Sequence, residues 1–501
     1  MLRPLALAIG LALASSGSSV IKCDTSIPVE SFIKHKGSRD IWISIDNKVY
    51  DVSEFLRSHP GGAEAILKYA GRDASKAFKK QHVASILGLL PKSAYKGVLE
   101  GSLEEELSEE EILLEEMKKK KPALSHIFNA NDFESVAKQI LPKDIYTYFA
   151  TGADDEATLR ECAMAYSRVF FRPRVLQQVE DVDLSTNMLG CSTAFPFYIT
   201  SFAGQAQLHP EGEKVLAKVA DKNNIMFIIP RLATKPIPEI LEEIDPQTPV
   251  WWQMSANHAD PKLERAFAEV AKYDQIKGIF ISTDSAVGGN REKDFKVRQQ
   301  VTNATSELSG YAAIDKTYPS ITWDDIKRYK TLTDKKIILK GIQCTEDVLK
   351  ASELGLDGVV LSNHGGRQLD YSQPPLEVLV ETMPILRQQQ YYDKEKFQVF
   401  VDGGIRRGTD IVKAIALGAS GVGMGKAFAF PLATYGEEGA QRLVDLLKME
   451  LSRDLKLLGV SKISQLNESY VNTKGLYNRI GNYADSYFRN YEKLPAPVFI
   501  K

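Results

Sequence analysis

The chain has 501 residues, more than one ordinary hydrophobic core organises, so two domains are expected. Its 44% hydrophobic and 26% charged residues are those of a globular protein, and a formal net charge of −2 excludes a strong global field for gathering nucleic acid or an anionic membrane. Four scattered cysteines, Cys23, Cys162, Cys191 and Cys344, form no CxxC pair and so indicate neither a zinc knuckle nor a disulfide framework.

The start, "MLRPLALAIGLALASSGSSV", has one arginine, an apolar run from Leu5 to Ala14, then small polar residues. The run is too short to span a bilayer and reads as a targeting segment over residues 1–22, mitochondrial or secretory. No other long apolar stretch occurs, so no membrane span is expected. Residues 25–101 mix strand and helix signals, and "IWISIDNKVYDV" reads as a hairpin turning at Asp46-Asn47. Next, "FLRSHPGGAEAILKYAGRDASKAFKKQHVA" carries His59 and His82, each beside a turn or helix end. Two neutral imidazoles facing across a pocket ligate haem iron axially; two surface histidines are the alternative. Residues 102–124 shift from an acidic run to Lys118–Lys121 and end near Pro122. Glu115 and Glu116 stand four before Lys119 and Lys120, the spacing of a solvated helix, so this is a charged linker.

From residue 125 to 480 the pattern changes. Eight short apolar runs, "FPFYITS", "IMFIIP", "PVWWQMS", "GIFISTD", "KIILKG", "GVVLSNHGG", "FQVFVDGG" and "GVGMG", alternate with amphipathic stretches. This is the sequence form of a (β/α)8 TIM barrel, with a doubly wound open sheet as the alternative. The long polar gap between Asp284 and Lys336 reads as an inserted loop. Residues 481–501 form an aromatic-rich tail beyond the barrel, either an arm or a frayed end.

Polar residues fall at the C-terminal ends of five runs: Gln253, Asp284, Lys340, His364 and Asp402. In a barrel that end carries the chemistry. In "LSNHGGRQLD", His364 is a candidate base, Gly365 and Gly366 let backbone approach a ligand, and Arg367 offers a fork for a carboxylate. Asp284 ends another strand and is placed to orient an imidazole and stabilise its protonated form. The alternative for a single histidine is a hydrogen-bonded core residue. In "VDGGIRRGTDIVKAIALGASGVGMGKAF", glycines at two strand ends leave N–H groups for an anion at helix starts, and Arg406 adds charge.

With "HPGG", "SNHGGRQLD" and "DGGIRRGTD" in place, residues 25–101 resemble a cytochrome b5-like haem domain, and the remainder resembles the FMN-dependent L-2-hydroxy-acid oxidases and dehydrogenases. The two in this order resemble the haem-and-FMN flavocytochromes. The resemblance implies FMN and haem b, a small α+β haem domain ahead of the barrel, and oxidation of an L-2-hydroxy acid such as L-lactate to the 2-oxo acid. Electrons would pass from FMN to haem to cytochrome c. It implies His364 as base paired with Asp284, Arg367 and Tyr148 on the substrate carboxylate, and Arg291 as a second arginine. Lys340 would stabilise the flavin, with Gln253, Ser282 and Ala203 against its ring. Asp402, Gly403, Gly404, Arg406, Gly425 and Lys426 would line the cofactor and its phosphate, and His59 and His82 would hold iron. A homotetramer in the mitochondrial intermembrane space is the expected setting.

Four positions depart from the family pattern. Ser255 stands where a tyrosine is usual, Phe202 precedes Ala203, Pro230 and Arg231 end the second strand, and Lys426 replaces an arginine. These lead to an expectation of added bulk and charge near the flavin and altered substrate choice. They also motivate a second reading, a haem electron carrier with an inactive flavin barrel.

Overall fold

The computed structural model describes residues 25–37, 40–59, 63–82, 84–101, 103, 109–255, 263–302 and 321–478. The leader, most of the polar stretch after Arg298, the tail 481–501 and residues 60–62 of "HPGG" lie outside them.

In the N-terminal unit, strands Asp40–Ile45 and Lys48–Asp51 pair antiparallel. Asp46 (φ 49°) and Asn47 (φ 61°) are both left-handed, the requirement of the two-residue turn whose twist matches its flanking strands. Strands Ser26–Pro28, Lys36–Gly37 and Tyr95–Glu100 complete a five-stranded sheet among the described residues. On one face Ile41, Ile43, Ile45 and Val52 pack under the helices Glu64–Leu67 and Ser75–Gln81, and these helices flank His59 and His82.

The linker forms the helix Glu109–Lys120. Lys120 pairs with Glu116 at 3.6 Å as the spacing predicts, but Glu115 pairs with Lys118 at 2.6 Å rather than with Lys119, since positions three apart are also neighbours on a helix. Beyond it the chain is fastened to the barrel. Lys121 donates to the Thr434 carbonyl, and the Tyr435 hydroxyl donates to the Pro122 carbonyl at 2.7 Å.

Eight parallel strands follow among the described residues: Phe197–Ile199, Ile228–Pro230, Val250–Ser255, Ile276–Ser282, Lys336–Ile342, Gly358–Leu361, Gln398–Asp402 and Gly421–Met424. From the second strand on, each pairs with the next, and the last pairs with the first. An Ile199 to Phe227 bridge, with the Ile199 N–H on the Met226 carbonyl at 3.0 Å, closes the ring between the first two. The open doubly wound alternative is thereby excluded. Tyr198, Ile228, Trp251, Phe280, Ile338, Val360 and Phe400, one from each of seven strands, fill the interior. Their chain neighbours, such as Ile279 and Ile281, face the helices, so alternation builds two cores from each strand. With the middle of the barrel packed solid, open space and polar groups are left to the strand ends. Among the described residues no helix is long and apolar enough to cross a membrane.

Candidate active site

The strand Gly358–Leu361 is buried along its length, then the chain reverses through Ser362 and Asn363. His364 (φ 61°), Gly365 (φ 65°) and Gly366 (φ 73°) follow in the left-handed region. A histidine held there is strained unless its surroundings fix it. They do: the His364 N–H donates to Ser362 Oγ at 3.1 Å and the Gly366 N–H to Asn363 Oδ1 at 3.1 Å. A Cβ on Gly366 would lie 2.5 Å from the Leu159 nitrogen, so only glycine passes there.

His364 Nδ1 lies 3.1 and 3.2 Å from the two oxygens of Asp284, two residues beyond the end of Ile276–Ser282. Burial alone would raise the Asp284 carboxyl, but the charge and hydrogen bond of His364, then Lys340, hold it well below the usual carboxylate range. A carboxylate only accepts, so Nδ1 carries the hydrogen and Nε2 keeps its lone pair. Gly341 (φ 104°) makes room, because a Cβ there would sit 2.6 Å from the Asp284 carboxyl carbon.

Arg367 Nη1 donates to the carbonyls of Tyr148 (2.6 Å) and Thr151 (3.0 Å). The Tyr148 ring has three guanidiniums around it: Arg367 and Arg298 at 5.2 Å and Arg291 at 5.6 Å from its centre. Asp294, 2% exposed, takes Arg298 at 2.8 Å. Burial, then the Arg291 charge, push Arg367 down to about 10. Arg291 Nε is buried without a partner among the described residues. Three guanidiniums beside one carboxylate make a place for a small carboxylic acid.

Lys340 is buried, 3.4 Å from Asp402 and 3.1 Å from Ser362 Oγ. Burial would lower its amine, but Asp402 and Asp284 outweigh that and raise it. Gln253 Nε2 donates to Ser282 Oγ at 3.3 Å. Gln253 Oε1, Asp402 Oδ1 and Thr200 Oγ1 are buried and unpaired among the described residues. Three orphaned polar atoms at three strand ends, beside a buried ammonium, suit a flat ring with polar edges such as a flavin.

The phosphate expectation needs one correction. The N–H groups of Arg406 and Arg407 both donate to Asp410 Oδ2 at 3.0 Å, and Gly408 donates to Glu450 at 2.6 Å. The start of the helix Gly408–Ala416 is therefore capped by its own Asp410 and by Glu450 of the helix Lys426–Leu458, and does not offer these N–H groups to an anion. The anion-seeking groups are cationic. Arg406 Nη2 meets Glu134 at 2.9 Å while Nη1 is buried and unpaired among the described residues. Among the described residues Lys426 Nζ reaches only the carbonyls of Ala150 (3.1 Å) and Thr151 (3.5 Å), and burial, then Arg367 and Arg406, push it down to about 7. Gly425 precedes Lys426 at the start of the helix Lys426–Leu458. Gly404 (φ 81°) is needed where a Cβ would fall 2.2 Å from the Cys162 carbonyl oxygen, and Gly403 (φ 91°) is left-handed beside it. This set fits a phosphate.

Of the departing positions, Phe202 is the one whose side chain is accommodated elsewhere. The first strand runs into Thr200 and Ser201, and the half-buried Phe202 packs edge-on against Phe149 at 6.2 Å, so the core absorbs its bulk. Ala203 follows, half-buried. The Arg231 N–H continues the strand pairing to the Gln253 carbonyl at 2.8 Å, and Ser255 pairs opposite Ser282.

In the N-terminal unit the rings of His59 and His82 meet edge-on with centres 5.9 Å apart, backed by Phe55 and Phe78. Burial, then the His59 charge, push His82 down to about 4, so it is a neutral donor at neutral pH. Leu56, Ile66, Ala74 and partly buried Leu87 and Leu90 add apolar walls. A neutral His82 and His59 across an apolar slot suit haem iron.

Sequence reasoning missed Ser362, Thr200, Asp294 and Arg298. Ser362 lies inside the quoted histidine stretch. Arg298 stands seven residues after Arg291, two helical turns along the helix Glu292–Thr302, a spacing that places both on one face.

A closed parallel barrel with these groups at its strand ends, behind a sheet-and-helix unit holding two facing histidines, defines a flavin enzyme with a haem domain. The model of the FMN-dependent dehydrogenase family matches residues 137–473, and that of the cytochrome b5-like heme/steroid binding domain matches residues 28–100. The chain belongs to the FMN-dependent dehydrogenase family, and FMN and haem are its cofactors. It is 40% identical to an L-lactate dehydrogenase (cytochrome) of Wickerhamomyces anomalus, covering 95% of this chain and 85% of that protein. A protein of the same name from Saccharomyces cerevisiae is 38% identical over 89% of this chain and 79% of its own length. A mutant flavocytochrome b2 with pyruvate bound matches with TM-score 0.70 and 38% identity, covering 79% of this chain and all of that one.

Proposed function

We propose that this chain oxidises a short L-2-hydroxy acid, L-lactate or a close relative, to the 2-oxo acid, and that its electrons leave through haem to cytochrome c. The observation that carries the reading is the Asp284–His364 pair at 3.1 Å beside Arg367, Tyr148 and Arg291 at one end of the barrel. When bound, FMN takes the electron pair released from substrate C2 and haem carries electrons onward singly.

The chain's own residues do the rest. Arg367, held from behind by two carbonyls, and Arg291 clamp the substrate carboxylate, with Tyr148 between them. This fixes C2 and its hydroxyl near His364. Nε2 of His364 accepts the proton that leaves the substrate, and Asp284 stabilises the imidazolium through Nδ1. Lys340 supplies positive charge where the reduced cofactor gains negative charge, and Arg406 and Lys426 anchor the phosphate. His59 and His82 ligate the iron.

The reading of an electron carrier with an inactive barrel loses its ground, since Phe202 turns into the core and the strand-end groups converge. A homotetramer is supported by the exposed Phe170, Val175 and Leu176 and by the aromatic tail. Sedimentation of the purified protein tests it. The likeness to the flavocytochromes supports the mitochondrial intermembrane space, with a secretory route as the alternative, and fractionating cells that express a tagged chain tells the two apart.

The decisive experiment is an anaerobic visible spectrum with a panel of L-2-hydroxy acids. Bleaching of the flavin band followed by reduction of the haem band is expected with at least one acid. Full flavin content with no bleaching by any of them would refute the reading.

A further inference from the structure

The two units meet at a charged point that the reaction scheme does not use. Lys68, nine residues after His59 and just past the helix Glu64–Leu67, places its ammonium 3.3 Å from Asp144 Oδ2. Asp144 lies in the first turn of the helix Lys143–Ala150, and its Oδ1 accepts the Ile145 N–H at 2.9 Å, so the carboxylate is fixed before Lys68 arrives. Both side chains are largely sheltered, 31% and 20% exposed. The helix Glu292–Thr302 packs against both the Glu64–Leu67 and Lys143–Ala150 helices, and its Arg298 feels the Asp144 charge while stacking on Tyr148. Tyr148 is one helical turn from Asp144, so the two share a face.

We propose that Lys68 and Asp144 form a latch that seats the haem unit on the barrel and sets how readily electrons cross from flavin to haem. They are positioning residues. The pair connects the segment that follows one iron ligand to the helix bearing a tyrosine of the substrate site. The inference rests on the flavin-to-haem route proposed above. A sheltered pair of this kind shifts an equilibrium by a few-fold, enough to tune docking and weak enough to let the haem unit swing out toward an acceptor. Salt weakens it.

The test uses the holoenzyme with Lys68→Glu, Asp144→Lys and the double exchange. Rapid mixing with the best acid of the panel separates flavin bleaching from haem reduction. Lys68→Glu should bleach flavin at the wild-type rate, and both single variants should reduce haem about two- to fivefold more slowly relative to their own flavin bleaching. The double variant, with the charges swapped, should recover. Small-angle scattering of the same proteins should show a larger radius of gyration for the single variants alone, and for the wild type at high salt. Unchanged haem reduction and radius in both single variants overturns the latch, as does a double variant as impaired as the singles. If no acid bleaches the wild-type flavin, the proposed reaction fails, and the scattering comparison still decides the latch.

Discussion

Replacing Asp284 by Asn tests the central pair at nearly constant shape. The carboxylate is 1% exposed and 3.1 Å from His364 Nδ1, and Asn can still accept that hydrogen. What disappears is the negative charge facing an imidazolium that forms only once the substrate has given up its proton. At an effective dielectric of about 20, unit charges about 4 Å apart attract by about 4 kcal/mol. That attraction stabilises the charged, reacting state and not the neutral histidine, so its loss falls on the barrier. At about 1.4 kcal/mol per tenfold, flavin reduction should slow roughly a thousandfold. The assay is anaerobic rapid mixing at saturating substrate, followed at the flavin band. Because the Asp284 carboxyl is held below the usual carboxylate range, its charge is present above roughly pH 4 and is lost only as pH falls further. Between about pH 5 and 8 the wild-type carboxylate therefore stays charged, and the comparison is of a charged with a neutral partner throughout. A loss under tenfold with FMN content unchanged would refute the argument.

Replacing His82 by Ala should remove the haem band while the flavin still bleaches, which absorbance of the purified variant checks directly; a retained haem band would mean another ligand. Gly404→Ala puts a Cβ 2.2 Å from the Cys162 carbonyl at a φ of 81°, so the variant should purify with little FMN, read from its flavin-to-protein absorbance. Lys426, pushed down to about 7, must carry a proton to meet a phosphate, so FMN affinity of the apoprotein should fall as pH rises above 7, by at most about tenfold per unit. Fluorescence titration of FMN would show that slope, and Lys426→Gln should flatten it.

The barrel was legible because its eight runs are short, apolar and separated by amphipathic segments, and that alternation is what a closed parallel sheet requires. Closure itself was not legible: the Ile199 to Phe227 bridge involves strands whose residues look the same in an open sheet. The convergence of Gln253, Asp284, Lys340, His364 and Asp402 followed from one rule, that a packed barrel interior sends polar groups to the strand ends. Glycine-rich loops were harder. "DGGIRRGTD" looked like N–H groups waiting for an anion, yet Asp410, four residues after Arg406, folds back and takes two of them. A capping carboxylate and an open anion site share the same local sequence, and only the side-chain direction separates them. Phe202 illustrates the reverse case: its identity suggested obstruction, and its rotamer removed it.

The site's charges also bear on the order in which it fills. Around it stand Arg291, Arg298, Arg367, Lys340, Arg406 and Lys426, against the carboxylates of Asp284, Asp294, Asp402, Glu134 and Glu156. The excess is positive and divides between two places, the guanidiniums on Tyr148 and the Arg406–Lys426 pair. These places are coupled, because Arg367 depresses Lys426. An anion at either one relieves repulsion at the other. Phosphate bound beside Lys426 should therefore tighten the hold of Arg367 on a small carboxylate, by a few-fold at the screening expected of a partly open site. Apoprotein titrated with pyruvate, with and without saturating inorganic phosphate, measures that coupling directly. Equal affinities would mean that solvent screens the two cationic places from each other. Tighter binding with phosphate would mean that cofactor loading itself prepares the site for its acid.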